Sequence, residues 1–158
     1  MRDARRDGSG AILEGGGRGA AAPSGRVSLA VGLVGELSTT VDRSNLASAV
    51  GSGGLDVFST PSLVALMENA ARSAVDPLLD PGLVTVGVRV DVRHLAVTPL
   101  GGQVRARAEL VEIDGRRLVF HVEAFDAQER IGEGTHERAI VDPRRLLARA
   151  QAKLESRS

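Results

Sequence analysis

The sequence predicts an α+β fold in which one long, mostly covered helix is wrapped by a mainly antiparallel sheet of about five strands. Three observations carry that reading. An apolar stripe at helical spacing runs through residues 60–78, the hydrophobic period changes to two from Val84 onward, and turn signals cut the second half into strands. Such a run of strands must bury one face, and the long helix is the element able to cover it.

In chain order, residues 1–25 are rich in Gly, Ala and Arg without periodicity and read as a disordered leader, followed by a single domain over residues 26–158. Val27–Val41 mixes apolar and β-branched residues, a first strand. The small, Gly-rich stretch 44–56 suggests a mobile loop or lid. Thr60 suits the N-cap of the long helix and Pro61 its first position, where no N–H is needed. Leu63, Val64, Met67, Ala70, Ala71, Ala74, Val75 and Leu78 form its apolar face, and Pro77 with the DPG of 80–82 ends it.

Val84–Thr98 then alternates, with Val86, Val88, Val90 and Val92 on one face and Gly87, Arg89, Asp91 and Arg93 on the other. The TPLGG of 98–102 turns the chain into Gln103–Ile113, and Asp114-Gly115 makes a hairpin to Arg116–Ala127. Glu129–Val141 follows, and four consecutive antiparallel strands are expected. Pro143 can start a short amphipathic C-terminal helix bearing Leu146, Leu147 and Ala150. Wrapping this sheet around the helix gives the hotdog fold.

Composition narrows function by exclusion. The 158 residues are 42% hydrophobic and 25% charged, an ordinary globular mixture. The absence of cysteine removes thiol catalysis, Fe–S ligation and cysteine zinc sites. His94, His121 and His136 show no metal spacing, so no metal and no cofactor is expected. Between residues 27 and 141 the chain carries ten basic and fifteen acidic residues, net −5, and Phe58, Phe120 and Phe125 are the aromatics. A nucleic-acid partner needs a basic face with stacking rings, so none is expected. No apolar run approaches the roughly 20 residues of a membrane span, and no apolar segment follows the basic start. A cytoplasmic location is the expectation.

Three residues stand out chemically. Glu68 lies on the shoulder of the apolar stripe, where a carboxylate is partly withdrawn from water and suited to act as base or nucleophile. The plainer alternative is an i,i+4 ion pair with Arg72. His94 shares strand parity with the valines and should face the helix, where a neutral imidazole could orient a hydroxyl or carboxylate. A core-edge histidine bonded to a carbonyl is the competing role. Thr60 is either the cap alone or also a hydroxyl beside the free N–H groups of the helix start. His121 and His136 read as structural or solvated, and Arg116-Arg117 as a solvated pair.

The segments VFSTPSLVALMENAA (57–71), VGVRVDVRHLAVTPLGG (86–102), DGRRLVFHVEAFD (114–126) and IGEGTHERAIV (131–141) resemble hotdog-fold thioesterases of the fluoroacetyl-CoA thioesterase-like family. The resemblance covers residues 30–150 and implies an acyl-CoA thioesterase. It implies a catalytic group of Thr60, Glu68 and His94, and a backbone N–H of Gly87 offered to the thioester oxygen. Phe58 of the VF pair joins Gly87 as a substrate-binding candidate. It also implies a homodimer or higher oligomer with the site near the subunit interface, and acyl-CoA or another acyl thioester as partner. The family's gate phenylalanines have no counterpart in residues 47–56, where Gly51 and Gly54 stand. That departure points to a generic acyl-thioester hydrolase. A hotdog protein that binds acyl-CoA without turnover, or a structural dimer module, remains open on fold alone.

Overall fold

The computed structural model describes residues 28–155; the leader expected over residues 1–25 lies outside the described residues. β1 (Val34–Thr40) leads through a short helical turn, α1 (Ala47–Val50), to the long helix α2 (Thr60–Val75). A 3₁₀ turn at Asp76–Leu78 then carries Pro77. β2 (Val84–His94), β3 (Gln103–Asp114), β4 (Arg117–Phe125) and β5 (Arg130–Val141) follow, and α3 (Pro143–Glu155) closes the described chain. The hotdog architecture read from the periodicity is the one observed: an antiparallel five-stranded sheet against one long helix.

The strand order corrects one expectation. The sheet runs β1-β3-β4-β5-β2, so β2 does not join a four-strand meander but pairs with β5 at the far edge. Residues 95–102 carry the chain back across the sheet. Eight residues suffice to cross three strand spacings of about 4.8 Å each. The first strand is also shorter than the expected Val27–Val41, running from Val34 to Thr40.

A second correction concerns parity. The β2–β5 register shifts between Gly87 and Arg89, leaving Val88 as the extra residue of a bulge. Thr85 and Gly87 therefore share the inner face with Val90, Val92 and His94. Val86 falls on the other side and Val88, 56% exposed, drops out of the alternation.

The core lies between α2 and the sheet: Leu63, Met67, Ala70, Ala71 and Val75 meet Val104, Ala106, Ala108, Leu110, Phe120 and Val122. Small residues let the layers approach. A Cβ on Gly35 would come within 2.0 Å of the Ala70 carbonyl oxygen, and one on Gly132 within 2.9 Å of Leu63 Cδ2. α2 packs mainly over β1 and β3 and less over β2 and β4, so its β2 flank stays open. Residues 44–56, read as a mobile loop or lid, are tied by hydrogen bonds among themselves and to Val57 and Phe58 just after. Leu46 bridges Phe58, Ala47 N–H donates to Val57 O, and the Ser48 hydroxyl donates to Asp56. No helix among the described residues is long and apolar enough to cross a membrane.

Candidate active site

The start of α2 differs from the expected capping. Ser59, not Thr60, is the N-cap: its hydroxyl oxygen accepts from the Ser62 backbone N–H at 3.1 Å. Thr60 is the first helical residue, and its hydroxyl is thereby free for another partner. That partner is His94, whose Nδ1 lies 2.8 Å from Thr60 Oγ1. The imidazole tautomer decides which of the two donates. The other ring nitrogen, Nε2, is buried without a hydrogen-bond partner. Burial pushes the His94 imidazole below its ordinary value. A neutral ring with one free nitrogen beside a threonine hydroxyl can accept or pass on a proton.

Two turns further along α2, Glu68 makes a separate cluster. The i,i+4 pair with Arg72 does not form, because Arg72 Nε binds Asp76 at 3.3 Å. Glu68 instead faces β2 and β5. Its Oε2 lies 3.4 Å from Nη1 of Arg138 and 3.9 Å from Nε2 of His136. The Arg138 side chain is sealed at 4% exposed, while that of Glu68 is 36% exposed. The carboxylate thus has a buried cation behind it and an open side toward solvent.

Arg138 is fixed by more than Glu68. Its Nε donates to Thr85 Oγ1 at 2.8 Å and its Nη2 to the Thr85 carbonyl at 2.9 Å. Thr85 in turn donates to Asp76, and His136 Nε2 lies 3.1 Å from Arg138 Nη1. His136 Nδ1 is 2.8 Å from the Arg89 carbonyl, so Nδ1 carries the proton and Nε2 accepts from Arg138. Burial pushes the His136 imidazole down, and the nearby Arg138 charge adds to that. Neither residue stood out in the sequence, where His136 read as structural or solvated. The signal was present: Gly132, Gly134, His136, Arg138 and Ile140 share parity on β5, and the glycines back onto other groups.

Gly87 closes the floor of the crevice. An added Cβ there would come within 2.5 Å of Glu68 Oε2 and 3.3 Å of His136 Cε1. Glycine is the residue that lets the carboxylate lie against the β2 backbone. Phe58, by contrast, sits in the core at 1% exposed, with its backbone N–H donating to Thr98 O. The structure thus joins Thr60 with His94, and Glu68 with Gly87, and it holds the two groups apart. Eight helical residues separate Thr60 from Glu68, about 12 Å along the axis.

Comparison with known proteins identifies the family. The family model described as fluoroacetyl-CoA-specific thioesterase matches residues 41–144. A fluoroacetyl-CoA thioesterase from Streptantibioticus cattleyicolor is 42% identical over 98 residues, 62% of this chain and 70% of the relative. A mutant of the thioesterase FlK, solved in complex with acetyl-CoA, superposes with a TM-score of 0.75 at 33% identity. The match covers 79% of this chain and 98% of that one. A thioesterase superfamily member from Thermus thermophilus gives the same TM-score at 27% identity, with coverage of 82% and 98%.

Proposed function

Because the chain belongs to the fluoroacetyl-CoA-specific thioesterase family and is a hotdog-fold thioester hydrolase, we propose that it hydrolyses acyl-CoA at a site shared by two copies of the chain. Glu68 acts at the carbonyl, with Thr60 and His94 assisting. The observation that carries this reading is the Glu68 carboxylate, turned from Arg72, laid against Gly87 and backed by the buried Arg138.

The carboxylate either takes a proton from the attacking water or attacks the carbonyl carbon itself. In both routes the C–S bond breaks and CoA leaves as a thiolate that gains a proton. In the second, water opens the acyl–Glu68 anhydride and restores the carboxylate. The backbone N–H of Gly87 is the donor for the oxyanion. His94 orients the carboxylate or hands the proton to the thiolate, and Thr60 holds the reacting groups by hydrogen bond.

A homodimer supplies what one chain keeps apart. Gly87 and His94 lie seven residues apart on β2, about 20 Å in extended chain. β2 is an edge strand with Val88 and Val90 exposed. Pairing two β2 edges antiparallel about a two-fold axis through Asp91, with Val88 left unpaired in each strand, sets Gly87 and Glu68 of one copy opposite His94 and Thr60 of the second. Glu68→Gln and His94→Ala should each abolish thiol release from acetyl-CoA or fluoroacetyl-CoA. Mixing the two inactive variants after reversible dissociation should restore turnover, because hybrid dimers carry one intact site. A site confined to one chain would stay dead in the mixture. CoA thioesters bound without thiol release would favour a binding protein instead.

A further inference from the structure

The bulge at Val88 brings Gly87 under Glu68, and a bulge disrupts the ladder that would otherwise hold its strand. Two side chains from β5 bind the β2 backbone on either side of it. Arg138 Nη2 donates to the carbonyl of Thr85, two residues before Gly87, at 2.9 Å. His136 Nδ1–H donates to the carbonyl of Arg89, two residues after it, at 2.8 Å. The two side chains also join each other, with Arg138 Nη1 donating to His136 Nε2 at 3.1 Å. One continuous chain of hydrogen bonds thus spans Thr85 to Arg89, with the register shift inside it.

Packing alone does not call for an imidazole here. The His136 side chain is sealed at 1% exposed, its ring centroid is 6.4 Å from that of Phe120, and an apolar ring would fill the place without burying polar atoms. What histidine adds is a donor and an acceptor at two corners of one rigid ring. Position 87 needs such a support. Only glycine lets the Glu68 carboxylate lie against the β2 backbone, and glycine is also the residue whose backbone turns most freely. An N–H that swings cannot stabilise an oxyanion well, since that effect depends on a donor aimed in advance. We infer that His136 is a positioning residue: by tying the Arg89 carbonyl to Arg138, it fixes the Gly87 peptide and the N–H offered to the thioester oxygen. This rests on the thioesterase reading above.

The test compares the full chain with H136F, H136Q and H136N. Phenylalanine fills the ring's place with neither bond. The glutamine amide sets an acceptor near Nε2 and nothing at Nδ1, whereas the asparagine amide sets a donor near Nδ1 and nothing at Nε2. On acetyl-CoA, kcat should fall about 10- to 100-fold in H136F and H136Q with KM within about 3-fold of wild type, and H136N should recover most of the loss. Amide NMR reads Gly87 without any substrate. Its resonance should move and its hydrogen exchange quicken in H136F and H136Q, and both should return toward wild type in H136N. Should H136F not fold, H136Q against H136N carries the comparison alone. An unmoved Gly87 resonance would overturn the inference, and so would kcat losses that follow melting temperature across the variants instead of the Arg89 bond. The predicted Gly87 shifts in a chain whose wild type releases no thiol would keep the clamp and remove the hydrolase.

Discussion

Glu68 owes its place to a competition for arginines. Asp76 takes Arg72, and Arg138, pinned twice by Thr85, reaches Glu68 from the sheet. The carboxylates of Glu68 on α2 and Asp76 just beyond it are therefore not interchangeable. Glu68→Gln should lower kcat by about 10²–10⁴ while leaving thermal stability near wild type. Arg72→Ala is the control: it cuts a surface pair worth a few tenths of a kcal/mol and should leave turnover unchanged. Parallel losses in both variants would return Glu68 to a structural role. Spacing alone allowed the Arg72 pairing as readily as catalysis. The choice was made by β5, a strand distant in sequence, and so was not readable from the helix.

The two site histidines make stability depend on pH in a definite direction. Burial lowers both His94 and His136 in the folded chain. On acidification the unfolded chain, with imidazoles near about 6.5, takes up protons first. Stability is therefore fully present above about pH 6.5 and falls as pH drops toward the folded values. Urea midpoints taken between about pH 7.5 and about pH 5 should show this slope, and His136→Gln should flatten it. An unchanged slope in that variant would mean His136 gains its proton as easily folded as unfolded.

At the scale of elements, the period of two located the four strands after the long helix, β-branched composition pointed to the first, and Asp114-Gly115 and Pro143 marked a turn and a helix start where they occur. Gly115 sits in that turn at φ 58, a conformation glycine adopts freely. What alternation could not reveal was the bulge at Val88, because a bulge is a property of a strand pair. Plain alternation would point Gly87 outward with the charges; with the bulge Gly87 lies under Glu68. The Ser59 cap was hidden for a similar reason, since two adjacent hydroxyl residues can each cap and geometry picks one.

The free edge of β2 carries its own expectation. Val90 faces inward beside the centre of the proposed two-fold pairing, opposite Val92 of the second copy, so Val90→Glu would set a carboxylate against an apolar partner in each half of the seam. Burying an unpaired charge there is destabilising. Sedimentation should show monomers, with thiol release lost and the secondary structure of each chain retained. A dimer surviving that substitution would place the interface elsewhere.

For the molecule as a whole, the question is how narrowly the substrate is chosen. Gly51 and Gly54 stand where the family's gate phenylalanines are expected, and a Cβ at either would meet nothing within 4 Å. Residues 47–56 contain no aromatic side chain. An open pocket discriminates small apolar differences by about 1–3 kcal/mol. The ratio of kcat/KM for fluoroacetyl-CoA over acetyl-CoA should accordingly stay below about 200-fold. A larger preference would require a closing element that residues 46–58 do not supply. The fold and the Thr60, Glu68 and His94 positions were legible because local period and motif spacing determine them. The partition into two clusters needed the third dimension.

The contact at Gly35 reaches further than its own packing. That glycine sits on β1, at the opposite edge of the sheet from β2, and brings the Ala70 carbonyl to a distance no side chain would permit. Glu68 lies only two residues before Ala70 on the same rigid rod. The helix can therefore be viewed as a lever whose fulcrum is a missing methyl group. An atom added at the fulcrum forces the rod to shift, and Glu68 shifts with it relative to the Gly87 backbone and Arg138. A residue with no polar side chain, on the flank farthest from the crevice, thus sets the height at which the carboxylate meets its substrate.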